Sequence, residues 1–258
     1  MRCLILLLLL SLAAAAKERP DWESFFEGVP GTMVVVHQGE TDVYSPARAD
    51  RGFVPASTYK VPHSLIALET GVLRDGHEQL RWDGVERQYA TWNRDHVLRT
   101  AMKYSVVPIY QRFARAIGEE RMRTYLEKIH YGNADIDGGI DRFWLDGKLR
   151  ISARQQVEFL QHLYADELPF RPENQLLVKT AMLVEATPEY VIRAKTGYEN
   201  GVEGYGHPER PGVGWWVGWV ERDTEVVFFA LNLDIASADQ LGLRQSVARA
   251  ILKSEGYL

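Results

Sequence analysis

The chain has 258 residues, with 30 Lys and Arg against 35 Asp and Glu, a net charge of −5. Its 46% hydrophobic and 25% charged content is that of an ordinary globular protein, which excludes disordered, collagen-like and multi-span membrane classes. The acidic balance argues against nucleic acid as a partner, and a single Cys leaves no internal disulfide framework.

In chain order, the first segment reads as an address. Met1-Arg2 precedes an apolar run over 3–12, four alanines over 13–16, and then Lys17-Glu18-Arg19. A basic start, an apolar stretch of about 7–15 residues and a small-residue end describe a cleavable secretory signal peptide. Cleavage is expected after Ala16, which removes Cys3, the only Cys. The run falls short of the roughly 20 residues that a membrane span needs. No membrane anchor is therefore expected once the signal is cleaved.

Thr32–His37 and Thr41–Tyr44 alternate or run apolar around Gln38-Gly39-Glu40, which predicts a β-hairpin. Helical patterns then dominate from about 57 to 185, at 64–70, 107–117, 119–129, 152–164 and 172–183. Ser152 and Gln155 have the spacing of a capping box. Three strands follow at 190–195, 215–221 and 225–233, rich in Val, Trp, Phe and Ile. A closing helix is expected over 239–255, and 199–214 reads as one long loop rich in Gly and Pro. Strands at both ends with helices between predict an α+β fold, an antiparallel sheet flanked by helices with an inserted helical region.

Four short motifs could carry chemistry. Ser57-Thr58-Tyr59-Lys60 places a hydroxyl and an amine on one helical face. A serine becomes a nucleophile only when a base takes its proton. A lysine can do so only if burial lowers its pKa. Phe53, Val54, Val61, Leu65 and Ile66 could provide that apolar surround, with Pro62 an awkward neighbour in a helix. Lys195-Thr196-Gly197 is expected at a strand end, where a cation and a hydroxyl can hold a substrate carboxylate beside a backbone N–H. Ser105-Val106-Val107 and Tyr131-Gly132-Asn133 complete the set. Alone, S-x-x-K arises roughly a third of a time per chain by chance, S-x-V nearly once, and Y-G-N reads as a turn. Their joint occurrence in this order is what carries weight.

With those motifs the chain resembles the class D, oxacillinase-type, serine β-lactamases. The likeness continues through Gly139–Gly147, which contains Phe143-Trp144-Leu145-Asp146-Gly147, then Lys195-Thr196-Gly197, the Gly214–Trp219 strand and Gly242-Leu243-Arg244. It covers essentially the whole chain beyond the signal. It implies a serine β-lactamase/penicillin-binding-protein-like fold, with a sheet subdomain at about 17–60 and 185–258 and a helical subdomain at about 61–184. It also implies hydrolysis of β-lactams through a Ser57 acyl-enzyme. Lys60 would be N-carboxylated by CO2 or bicarbonate and act as general base, with no metal and no other cofactor. Trp144 would donate its indole N–H to that group, and Ser105 would relay a proton to the leaving nitrogen. Lys195, Thr196, Gly197 and Arg244 would bind substrate, and the backbone N–H groups of Ser57 and Tyr198 would form an oxyanion hole. Val107 and Leu145 would be apolar walls that control access of water and CO2. The 198–214 loop looks longer than in many members and would border the cleft, where it bears on substrate preference. The family's usual hosts place such an enzyme in the periplasm, and a homodimer is an open expectation.

Other readings compete. Penicillin-binding proteins and class A β-lactamases share the S-x-x-K and K-T-G motifs. They expect Asn in the second motif, where this chain has Ser105-Val106-Val107, and the class A E-x-x-L-N segment is absent. A β-lactam sensor domain would stop at the acyl form, but such sensors sit behind several membrane helices. A zinc enzyme would need clustered ligands, and the seven His are scattered.

Overall fold

The computed structural model describes residues 16–200 and 211–258. The expected signal peptide falls outside them except for Ala16, as do residues 201–210 of the expected long loop.

The chain begins with a short strand β1 (Lys17–Glu18) and a 3-10 helix at Pro20–Phe26. Next come β2 (Gly31–His37), β3 (Glu40–Tyr44) and a four-residue helix α1 (Pro46–Ala49). A 3-10 turn at Ala56–Tyr59 leads directly into α2 (Lys60–Glu69). The helical region continues with α3 (Leu98–Lys103), α4 (Val107–Ile117), α5 (Glu119–Lys128), α6 (Ala153–Tyr164) and α7 (Pro172–Ala181). Strands β4 (Leu183–Ala186), β5 (Val191–Glu199), β6 (Gly212–Arg222) and β7 (Glu225–Ile235) follow, and α8 (Leu243–Ser254) closes the chain.

Among the described residues, seven strands form one sheet in the order β1-β3-β2-β7-β6-β5-β4. Every pairing is antiparallel except β1 with β3. The result is the α+β architecture expected, a largely antiparallel sheet flanked by helices. The two end segments of the chain meet because the N-terminal β2 pairs with the C-terminal β7 over seven residues, from Gly31 opposite Leu233 to His37 opposite Val227.

Both faces of the sheet are covered, and the period-2 alternation of strand side chains divides them. On β6, Trp215, Val217 and Trp219 join the large core under the helical region. Trp216 and Val220 point to the other face, where Trp22, Phe26 and the α8 residues Val247, Ala248, Ile251 and Leu252 pack. This double burial explains why β6 and β7 read as continuous apolar runs and not as clean alternation.

The structure corrects several expected boundaries. The strand carrying K-T-G does not end there; β5 continues to Glu199, paired with Val213. A glycine within the run hid the continuation, because Gly weakens any strand signal. The expected loop correspondingly loses Glu199 and Gly212–Gly214 to β5 and β6. The helix expected over 172–183 stops at Ala181, and Leu183 opens β4 opposite Arg193. The closing helix is divided into a 3-10 turn at Ala238–Gly242 and α8. Pro62 is accommodated because it lies in the first turn of α2, where its missing N–H costs little. The short α3 and the N-terminal 3-10 helix were not foreseen. At α6 the capping box is present: Gln155 N–H donates to Ser152 Oγ at 3.2 Å, and Ser152 N–H donates to Gln155 Oε1 at 3.0 Å.

Candidate active site

The Ser57 turn is held from three sides. Phe53 exchanges backbone hydrogen bonds with Ile151, both at 2.9 Å. The Trp215 indole donates to Val54 O at 2.9 Å. Gln156 Nε2 donates to Thr58 Oγ1 at 2.8 Å, and Thr58 Oγ1 donates to Pro55 O at 2.7 Å. Ala56, the residue before Ser57, has φ of 48°, a left-handed conformation that L side chains rarely adopt. Such strain persists only where the surroundings over-determine the backbone, as they do here.

Lys60 is completely buried. Its Nζ donates to Ser57 Oγ at 2.9 Å and lies 5.1 Å from the centre of the Tyr110 ring. Removal from water lowers its pKa to about 7. A large share of the amine is therefore neutral near neutral pH, with the Tyr110 ring as one wall of its pocket.

Trp144 is also completely buried, packed on Tyr59 with ring centres 5.5 Å apart and against His63 at 5.1 Å. Its indole Nε1 has no hydrogen-bond partner. Buried N–H groups are rarely left so. The loop that delivers Trp144 is fixed by the Y-G-N turn. Asn133 Nδ2 donates to Lys148 O at 3.0 Å, and its Oδ1 accepts from Arg150 N–H at 2.9 Å. Gly132 has φ of 57°, and a Cβ there would lie 2.0 Å from Arg150 O. Y-G-N is thus a structural turn that sets Trp144 in place.

From the other side, β5 brings Lys195, which is nearly fully buried. Its Nζ donates to Ser105 Oγ at 2.6 Å and to Thr196 O at 2.8 Å. Burial, then the charges of Lys60 and Arg244, hold its pKa well below the usual lysine range. Ser105 itself sits at φ of 52° in the turn before α4. Arg244, in the first turn of α8, donates to Gly197 O at 2.9 Å and to Leu241 O at 2.7 Å. Gly197 is required by close approach: a Cβ there would be 2.9 Å from Pro55 O and 3.1 Å from Thr58 Cγ2.

These groups converge on a cleft of about 310 Å³. Ser57, Ser105, Val107, Leu145, Thr196, Gly197, Tyr198 and Arg244 all line it. Lys60 lies beneath its floor in contact with Ser57, Lys195 lies behind its wall in contact with Ser105 and Thr196, and Trp144 is buried next along the chain to the lining residue Leu145. The tertiary structure thus gathers every site residue expected from the sequence. It adds Tyr89, Trp92, Tyr104 and Leu241 as further lining residues. It also adds His63 beneath the floor, fully buried and unforeseen; its place three residues after Lys60 was the available signal. Among the described residues no group of three or more His, Cys, Asp and Glu is placed to hold a metal ion. No helix among them is long and apolar enough to cross a membrane.

The penicillin-binding protein transpeptidase domain model matches residues 26–253. Beta-lactamase OXA-48 from Klebsiella pneumoniae is 49% identical over 256 residues, covering 96% of this chain and 93% of its own. Beta-lactamase OXA-10 from Pseudomonas aeruginosa is 46% identical over 252 residues, with 96% and 93% covered. The chain belongs to the class D serine β-lactamases. It is accordingly a serine hydrolase that opens β-lactams by acylation and hydrolysis. Beta-lactamase OXA-2 from Salmonella typhimurium, 46% identical with 92% and 85% covered, is a further relative. The class D assignment agrees with the second motif, where Val107 and not Asn follows Ser105 by two. Val107 and Leu145 are both half-buried at the cleft.

Proposed function

We propose that Ser57 is the nucleophile of this β-lactamase and that Lys60, carboxylated by CO2, is its general base for both acylation and deacylation. The observation that carries this reading is the contact of the fully buried Lys60 with Ser57, together with a buried Trp144 indole N–H that lacks a partner. The residues fit the carboxylated form. Only a neutral amine attacks CO2, and desolvation keeps Lys60 near its neutral form. An indole nitrogen is donor-only, so Trp144 awaits an acceptor such as a carboxylate oxygen. When present, that carboxylate supplies the base that takes the Ser57 proton and later activates water.

The remaining groups divide the work. Ser57 Oγ attacks the lactam carbonyl, the C–N bond of the ring breaks, and an acyl-enzyme results. The N–H groups of Ser57 and Tyr198 stabilise the oxyanion, an effect on the order of 3 kcal/mol per donor. Ser105, its hydroxyl oriented by Lys195, delivers a proton to the leaving nitrogen. Lys195, Thr196, Gly197 and Arg244 hold the substrate carboxylate, where a guanidinium offers a two-pronged donor. Val107 and Leu145 restrict water and CO2 reaching Lys60.

The sheet segments at about 17–60 and 185–258 form one subdomain and the helices at about 61–184 the other, with the cleft between. Residues 1–16 direct export to the periplasm, where a cysteine-free chain suits an oxidising compartment. A homodimer remains the assembly to test. The long segment after K-T-G tunes the choice among penicillins, cephalosporins and carbapenems.

A chromogenic cephalosporin tests the chemistry. We expect many turnovers per enzyme, stimulated by bicarbonate, and none for Ser57→Ala. A burst equal to the enzyme with no further colour would instead favour a sensor or transpeptidase.

A further inference from the structure

His63 lies one helical turn after Lys60 on α2. It is completely buried, and neither Nδ1 nor Nε2 has a hydrogen-bond partner. A neutral imidazole carries one N–H donor and one lone pair, so both capacities go unused. Burial, then the charge of Lys60, lowers its pKa to about 3, which keeps the ring neutral. The titratable groups facing it are Lys60, Tyr59 and Tyr110, and burial raises both tyrosine pKa values.

The ring packs edge-on against Trp144, with centres 5.1 Å apart. It also meets Tyr110 at 5.4 Å, the ring over which Lys60 Nζ sits. Tyr110 OH is satisfied by Ser64 Oγ at 3.0 Å. Three nitrogens are not: both of His63 and the indole nitrogen of Trp144. Two touching side chains therefore hold unpartnered polar atoms, and one of them, His63, is close enough to Lys60 to feel its charge. A residue that only filled space here would be better served by an apolar side chain.

We propose that His63 is a positioning residue: its ring N–H and the Trp144 indole N–H together hold the carboxylate that CO2 forms on Lys60. The inference rests on the carboxylation reading above. In that reaction the neutral amine nitrogen forms a bond to the CO2 carbon. One C–O π bond breaks to leave a carboxylate, and a proton departs from nitrogen to solvent. The product gains two acceptor oxygens, and the wall offers two donors. The donors are neutral, so His63 and Trp144 themselves place no further positive charge against Lys60.

The test uses the whole enzyme and ¹³C-labelled bicarbonate, with the carbamate read by ¹³C NMR and the His63 ring by ¹⁵N NMR. We expect His63→Leu to raise the bicarbonate needed for half occupancy about tenfold. His63→Asn retains an N–H donor and should stay within about threefold. The His63 ring signals of the native enzyme should move when CO2 is added to a CO2-free sample. Should the Leu variant not fold, this measurement on the native enzyme decides alone. A native carbamate signal with unchanged half occupancy in His63→Leu, or with unmoved ring signals, overturns the role of His63 and leaves Lys60 standing. No carbamate signal in the native enzyme overturns the Lys60 reading, and this inference with it.

Discussion

Lys195 on β5 donates to Ser105 Oγ across 90 residues of chain, at 2.6 Å. The bond ties the sheet to the turn between α3 and α4, and it fixes the direction of the serine hydroxyl. With its oxygen already accepting from Lys195 Nζ, Ser105 can aim its own proton into the cleft. Ser105→Ala should therefore slow acylation about 10²-fold, within the range for a lost proton-transfer group. Stopped-flow acylation with a chromogenic cephalosporin measures this; an unchanged acylation rate would leave Ser105 a purely structural role.

A methyl group at Gly197 should separate the sheet from the Ser57 turn. Its Cβ would come within 2.9 Å of Pro55 O, 3.1 Å of Thr58 Cγ2 and 3.2 Å of Trp215 Cβ. Two of these contacts are rigid backbone or ring attachment, so strain of about 1–3 kcal/mol is expected. Gly197→Ala should unfold at lower denaturant concentration and acylate more slowly, since the proposed oxyanion donors at Ser57 and Tyr198 would move apart. A variant as stable and as fast as the native chain would show that the turn yields easily.

Trp144 separates packing from hydrogen bonding. Trp144→Phe retains most of the buried ring but removes the N–H, whereas Trp144→Ala also opens a cavity costing about 3–5 kcal/mol. Both variants should accumulate acyl-enzyme, seen by mass spectrometry during turnover, with the Phe variant remaining well folded. If Trp144→Phe deacylates at the native rate, the indole is a core aromatic and its N–H is unused.

Burial of Lys60 has a sign in stability as well as in activity. Its folded pKa of about 7 lies below the unfolded value near 10.5. Between those two values the unfolded chain binds the extra proton, so this group makes stability rise with pH through that window. Below about pH 7 the lysine is charged in both states and its full burial penalty remains. Lys60→Met should thus stabilise the protein most below pH 7. The gain should be a few kcal/mol, because each pH unit between the folded and unfolded pKa corresponds to about 1.4 kcal/mol. It should shrink toward pH 10. Urea unfolding of the bicarbonate-free protein at several pH values checks this, and a pH-independent gain would count against it. Activity at limiting bicarbonate should fall on acidification through the same pKa.

Much of the site was legible in one dimension because its groups come in short, local motifs. Ser57 and Lys60 share a helical face by spacing alone, and Lys195-Thr196-Gly197 announces itself by composition. Edges were less legible. Gly197 masked the continuation of β5, and α7 and β4 share a run of apolar residues that no local signal divides. His63 shows in one dimension only its spacing from Lys60, because a lone histidine in an apolar helix gives no sign of its hydrogen bonding.

Composition, spacing and motif order alone pointed to the fold class and the family and put Ser57 and Lys60 within one turn of each other, since each depends on neighbours within a few residues. The register that seats β2 against β7 and the close approach of Gly197 to Pro55 belong to the folded chain alone. So do the depression of the Lys60 pKa and the unpartnered nitrogens of Trp144 and His63. Those properties arise when distant segments exclude water from one another. Desolvation and contact across the sheet are functions of distance in space, which the order of residues does not state.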